Sequence, residues 1–339
     1  MLRWLLVRLA WLVVTLLGIT FVTFVVVDLA PGDRAEMTVV SSGSERAFLD
    51  QEAREAAILQ LRVRHGMVDP ETFAPYPVWQ RYGRWLGNAV MLRFAGPGED
   101  HAALWQRLAK ALPVTAWLGG LALLIVFGCG IPLGAWLGLR AGSRVDRTVS
   151  TVLLVGMGIP EFLLASLLLL AFSVAWLQVL PVAGLRTPGS EQWNFAWQLV
   201  DFAKHLVLPV GVLAFAPMVM VSRFVRDSVA RAATSPFVAS MHALGVPPEV
   251  VRARLLRHGC APVATLVGSL LPMLVGGSIV VESLFALDGV GHLAVRAALA
   301  QEQPMLMAIL VVGSLVTLAA LVVSDLLHRV VDARVRLPR

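Results

Sequence analysis

Long uninterrupted apolar runs dominate this chain, where a soluble protein would show alternation or amphipathic periodicity. Six of them approach or exceed the roughly 20 residues that a helix needs to cross a bilayer, at about Leu9–Val27, Val114–Leu139, Val149–Leu180, Leu206–Val221, Val263–Phe285 and Met305–Leu326. In lipid only helices and closed barrels satisfy every backbone N–H and C=O. Continuous runs lack the alternation of a barrel strand, so the pattern predicts an all-α polytopic membrane protein with six transmembrane helices.

The polar segments between the runs divide the chain into a first span (1–30), a segment on the far side of the membrane (31–110) and a core of five further spans (111–339). The second of these carries ten basic and ten acidic residues, and long translocated loops escape the charge rule that governs short ones. Gln51–Arg64 reads as an amphipathic helix. A stretch containing Tyr76, Trp79, Tyr82 and Trp85 reads as a helix lying on the membrane surface, with those rings as interfacial anchors.

Between two of the later runs lies a compact polar element, Ser235–Pro262. It predicts a short helix over about Phe237–Leu244, stopped by Gly245, the residue type that most readily turns left-handed past a helix end. Pro247 and Pro248 then open a second helix, where a missing N–H costs nothing. Glu249 falls in its first turn and Arg252, Arg254 and Arg257 later, as the helix dipole favours. A polar helix–Gly–helix set between membrane spans suits a docking surface.

Composition agrees: 58% of the 339 residues are hydrophobic and only 15% charged, which excludes an ordinary soluble domain. The formal charge of +6 raises the question of nucleic acid, and its distribution answers it. Arg3 and Arg8 precede the first run; Arg140, Arg144 and Arg147 separate the second from the third; six arginines lie from Arg223 to Arg257; Arg329, Arg334, Arg336 and Arg339 follow the last. Short intervening loops hold only Arg186, Lys204 and Arg296. Positive charge therefore marks the cytoplasmic side, with both termini there, and implies no nucleic-acid partner. The first run is too long for a cleaved leader and no small-residue cleavage site follows it, so it reads as an uncleaved span. Cys129 and Cys260 fall at different depths and predict neither a disulfide nor a metal site.

Chemistry within the runs is sparse. Gly130, Gly134 and Gly138 form a stripe on one helix face, which reads as close packing, with a pore lining as the alternative. Pro160 should kink the third span. Glu161 follows it, and an acid inside a span is either functional or held by the half-helix dipole and a neighbouring span. Asp28, Glu282 and Asp325 sit near span ends, where interfacial water offers them a structural role. The two lysines, Lys110 and Lys204, are followed by Ala111 and His205, so a phosphate-binding Walker loop, which needs Lys before Ser or Thr, is absent. The seven histidines are scattered singly, and no catalytic constellation is visible. Nor is there a convincing repeat between halves, as a self-sufficient secondary transporter would show.

The helix ending in Gly245 and the basic helix running to His258 and Pro262 resemble the EAA-type loop of ABC-importer permeases, most closely the dipeptide/oligopeptide/nickel permease family. Phe237, Val238, Ser240, Ala243, Gly245, His258 and Pro262 match that pattern, while Ala239, Met241, His242 and Leu244 depart from it. Further similarity lies in PGDR (31–34), PVWQ (77–80), IPLGAWLG (131–138), RAGSRVDR (140–147), the stretch from Glu282 to Gly291, QEQP (301–304) and the tail from Asp325 to Arg336. The resemblance implies a translocation subunit that alternates access under a separate ATPase, with peptides the commonest cargo and nickel, metal chelates or oligosaccharides also found. It implies a second homologous permease, two ABC ATPase subunits and an extracytoplasmic solute-binding protein as partners in the cell (inner) membrane. No cofactor is expected on this chain, with ATP and magnesium held by the ATPases. The coupling contacts it implies are Phe237, Ala239, Ser240, Met241, His242, Ala243, Gly245, Glu249, Arg252, His258 and Pro262. Pro160 and Glu161 are the pathway candidates, and a secondary transporter or channel using Glu161 is the alternative reading.

Overall fold

A computed structural model of the protein describes residues 2–29, 51–64, 67–94, 100–260 and 279–331, with 263, 266 and 270. Among these residues every long element is a helix, and the extended structure is an isolated bridge between Val68 and Pro75. Packing divides the chain into two compact units, residues 1–109 with 294–315 and residues 110–293 with 316–339.

In the first unit, α1 (Leu2–Leu29) carries apolar side chains all round, as a lipid-facing helix must. The amphipathic α2 (Gln51–Arg64) and α3 (Val78–Val90) follow. Between them Asp69 closes a turn, accepting the N–H groups of Glu71 at 2.8 Å and Thr72 at 3.1 Å. Those bonds hold its carboxyl below the usual carboxylate range. The helix α3 binds α1 through an aromatic seam: Tyr82 lies edge-on to Phe21 and Phe24, with centroids 5.1 and 5.6 Å away, and stacks on Trp85. At one end Arg81 donates two bonds to Asp28, at 2.5 and 2.7 Å. Tyr82 and Trp85 are therefore spent on packing against α1, while Trp79 stays 71% exposed, free to act as an anchor. Asp28 likewise relies on a guanidinium where interfacial water was expected.

The second unit is built on α7 (Phe195–Ala233), which absorbs Pro209 and Pro217 without breaking. Sequence placed this span at Leu206–Val221; the helix extends well beyond at both ends. Against it lies the C-terminal part of α4 (His101–Gly138), in register and in the same direction. A Cβ added at Gly130 would meet the carbonyl of Met218 at 3.0 Å, at Gly134 that of Ser222, and at Gly138 that of Arg226 at 2.7 Å. The glycine stripe is a packing seam rather than a pore lining. In lipid such close approach supplies the attraction that hydrophobicity cannot.

The third apolar run forms two helices, α5 (Arg144–Met157) and α6 (Glu161–Leu169), bent by 98° at Gly158–Pro160, with a π-helical turn to Val174. Pro160 thus breaks the span rather than kinking it, since its ring and missing N–H come at a glycine-weakened point. The loop that follows is pinned by Asp201, which accepts the Thr187 N–H at 2.8 Å and hydroxyl at 2.6 Å. The short helices α8 (Pro236–Ala243), α9 (Pro248–Cys260), α10 (Ile279–Leu284) and α11 (Val290–Leu299) precede the last long helix, α12 (Gln303–Val331), which carries Asp325.

Glu282 was expected to meet interfacial water. It is 1% exposed and fully partnered by protein: Thr115 donates to Oε1 at 2.8 Å and the His292 N–H to Oε2 at 3.0 Å. Thr115 in turn accepts the Val290 N–H at 2.8 Å, so the two side chains cap the start of α11. Gly289 and Gly291 lie so close to the carboxylate that neither has room for a Cβ.

Among the described residues three stretches are long and apolar enough to cross a membrane, His101–Gly138, Phe195–Ala233 and Gln303–Ser324, and the bent pair α5–α6 makes a fourth if it is one span. Most of Val263–Phe285, the first span's exit at Pro31–Asp33, and the tail from Asp332 lie outside the described residues. The glycine seam is directly testable. Gly134→Ala is expected to destabilise the detergent-solubilised protein by about 1–3 kcal/mol through overpacking. Gly128→Ala on the same helix, with nothing within 4 Å, should leave the thermal midpoint unchanged or raised.

Candidate coupling element

The end of α7 passes through a tight turn into α8. The Ser235 hydroxyl and N–H both return to the Ala232 carbonyl, at 2.6 and 3.1 Å, and Pro236 takes the first helical position, which needs no donor. Val238 and Met241, spaced i,i+3, face inward and meet Val251 and Leu255 of α9 in a small apolar core of their own. Phe237 lies over the ring of His258, with centroids 5.2 Å apart, closing the far edge of the pair.

The turn between the helices is a full Schellman cap. The Gly245 N–H returns to the His242 carbonyl at 3.0 Å and the Val246 N–H to that of Met241 at 3.1 Å. Gly245 sits at φ +69°, the left-handed conformation that glycine adopts without strain. Val246 then packs on the Met241 core, the apolar contact that accompanies this cap. Pro248 opens α9, Glu249 occupies its first turn and Arg257 and His258 its last.

The outward face of α8 consequently consists of Ala239, Ser240, His242, Ala243 and Leu244, with Leu244 80% exposed. Small side chains and a bare leucine make this surface almost free of charge. Glu249, Arg252, Arg254 and Arg257 supply an exposed polar surface on α9. A cleft of about 510 Å³ beside the element is lined by Arg140, His242 and Arg252 together with Val238, Val251 and Leu255. Cys260 is half-buried at the end of α9, and burial pushes its thiol up.

Of the residues singled out from sequence, Met241 belongs to the supporting core and is closed to a partner, and Pro262 lies outside the described residues. Pro160 and Glu161 occupy a separate place, the α5–α6 bend: Pro160 caps α6, and Glu161 is exposed in its first turn, where the dipole favours it. The expected bond from Glu161 to a neighbouring span is not formed with any described residue.

Sequence reasoning missed what attaches the element to the spans. Helix α9 folds back on α7, and a Cβ at Gly259 would stand 2.9 Å from the Val229 Cα. Gly138 approaches the same valine from the other side, its Cβ position 2.8 Å from that of Val229. Next to it the buried Asp146 binds Arg226 through both carboxylate oxygens. Ser143-x-x-Asp146 carries a capping-box signature, and Ser143 does accept the Asp146 N–H. Nothing in the sequence marks Arg226, among the six arginines from Arg223 to Arg257, as its partner.

Comparison with known proteins adds the family. The model of the binding-protein-dependent transport system inner membrane component matches residues 130–337. The oligopeptide transport system permease protein AppB of Bacillus subtilis strain 168 is 29% identical over 322 residues, covering 94% of this chain and 95% of the relative. A putative peptide permease protein of Brucella suis biovar 1 is 31% identical over 345 residues, 99% of each chain. The dipeptide transport system permease protein DppB of Escherichia coli K12 is 26% identical over 354 residues, again 99% of each.

Gly245 provides the local test. Gly245→Val puts a β-branched residue at φ +69°, expected to cost roughly 1–2 kcal/mol. Limited proteolysis should then cut the α8–α9 turn faster than in the parent protein. Gly245→Asn, which tolerates the left-handed region, should resist as the parent does.

Proposed function

The chain belongs to the binding-protein-dependent transport system inner membrane components and is a permease subunit; from that premise we propose how it works and what it carries. It spans the membrane six times with both termini in the cytoplasm, the side on which its arginines concentrate. Its α8–α9 element docks on a separate ATPase that holds the ATP and magnesium. Its assembly includes a second permease, two such ATPases and a solute-binding protein on the far side. The cargo is a short peptide, as the names of its relatives suggest.

One observation carries this reading. The α8–Gly245–α9 element presents an exposed face of small side chains while its inner face is clamped to the end of α7. Small residues permit a close fit to a partner's groove, and the clamp passes any displacement of that partner into the longest helix of the chain. Closure of an ATPase pair around nucleotide would then move packed helices between two arrangements open to opposite sides. Residues Phe237, Ala239, Ser240, His242, Ala243, Gly245, Glu249, Arg252 and His258 form or frame the docking surface. The secondary-transporter reading rests on Glu161 alone, and coupling to an ion calls for several buried ionisable groups along a path.

Gentle purification from the native membrane tests the assembly. The chain should bring a second permease and Walker-type ATPases with it, and ATP turnover should rise when a peptide-loaded binding protein is added. A chain recovered alone that moves solute down an ion gradient would overturn the proposal and make Glu161 the residue to mutate.

A further inference from the structure

We propose that Arg226, held by Asp146, is a positioning residue for energy coupling. The pair makes the α4–α5 turn move as one body with the end of α7 that bears the α8–α9 element. This inference rests on the importer reading above and goes beyond it in naming a joint that ties the start of the bent third span to α7.

The joint is built from both sides. Asp146 is 1% exposed and receives two roughly parallel N–H bonds, from Arg226 Nε to Oδ1 at 3.0 Å and from Nη2 to Oδ2 at 2.5 Å. The same carboxylate accepts the Gly142 N–H at 2.8 Å and the Ser150 hydroxyl at 3.4 Å, so it also fixes the backbone of the turn and the first turns of α5. Arg226 uses its remaining Nη1 on Asp227, at 2.7 Å, which leaves its fork no freedom to swing. One helical turn further along α7 is Val229, the residue gripped between Gly138 and Gly259. Four segments, the end of α4, the start of α5, the end of α7 and the end of α9, therefore meet around Arg226 and Val229.

A buried ion pair is weak evidence for stability, because well-packed apolar side chains serve as well or better. What a two-bond planar contact adds is orientation: it fixes rotation and register as well as distance. The valine–glycine seam sets the spacing and register of α4 against α7 but does not reach α5. Helix α5 has a second hold on α7 near its other end, where a Cβ at Gly156 would stand 2.8 Å from the Phe215 ring. Beyond Met157 the chain turns by 98° into α6. A displacement delivered to α7 therefore reaches α5 at two places, through Phe215 beside the bend and, with its direction fixed, through Asp146 at the start of the helix.

The test uses the complete transporter in proteoliposomes, with ATP hydrolysis and cargo uptake read in the same vesicles and a thermal midpoint measured alongside. Arg226→Lys keeps the charge but cannot form the fork. The complex should assemble and hydrolyse ATP, while cargo moved per ATP falls about tenfold, within the range of ordinary coupling energies. Asp146→Asn should change the ratio in the same direction. An unchanged ratio in Arg226→Lys would overturn the proposal. So would hydrolysis and uptake falling in equal proportion with a lowered midpoint, which would make the pair structural only. If no ATPase joins even the parent chain, the importer reading fails first and this inference with it.

Discussion

The contact on which the second unit depends is the approach of α4 to α7 through Gly130, Gly134 and Gly138, with Val221, Val225 and Val229 seated in the spaces that the missing side chains leave. Lipid tails are as apolar as leucine, so nothing drives two such helices together except van der Waals contact at short range and the polar groups between them. A side chain at any of the three glycines would run into the backbone or a valine of α7. Because this seam fixes α7, it also fixes everything hung on its C-terminal end. Val229, the last valine of the ridge, serves at once as the seat for Gly259 of α9.

The buried carboxylates follow the complementary rule and take their bonds from protein groups. Glu282 takes its bonds from Thr115 and the start of α11, Asp201 from the Thr187 loop, Asp146 from Arg226 and the α4–α5 turn, Asp28 from Arg81. Each ties together separate segments of the chain. Large apolar side chains such as Trp117, Val152 and Val155 remain exposed in the isolated chain. A membrane-embedded subunit of a larger assembly is built this way, apolar outside and stapled inside.

That economy bears on mechanism. A permease must pass between two packings without coming apart, so its joints need to hold direction as well as distance. The 98° break at Gly158–Pro160 divides the third apolar run into two helices. The Schellman turn at Gly245 and the shared core of Val238, Met241, Val251 and Leu255 hold α8 and α9 together as one unit.

What the sequence determined by itself is everything that depends on local composition. Apolar run length gave the helical, membrane-spanning class, since lipid allows no other use for such runs. Gly245, Pro248 and the charges around them gave the helix–turn–helix of the candidate coupling element, because capping is decided within a few residues. The spacing of Gly130, Gly134 and Gly138 announced a close seam without naming its partner. Tertiary structure alone decided which groups meet: that α7 receives the seam, that Arg226 among many arginines binds Asp146, that Met241 faces inward, and that Glu282 is sealed from water. Tyr82 and Trp85 spent themselves on α1 for the same reason. Pairing across long stretches of chain is set by how helices stack in three dimensions, and a one-dimensional pattern records which faces are able to pair but not which ones do.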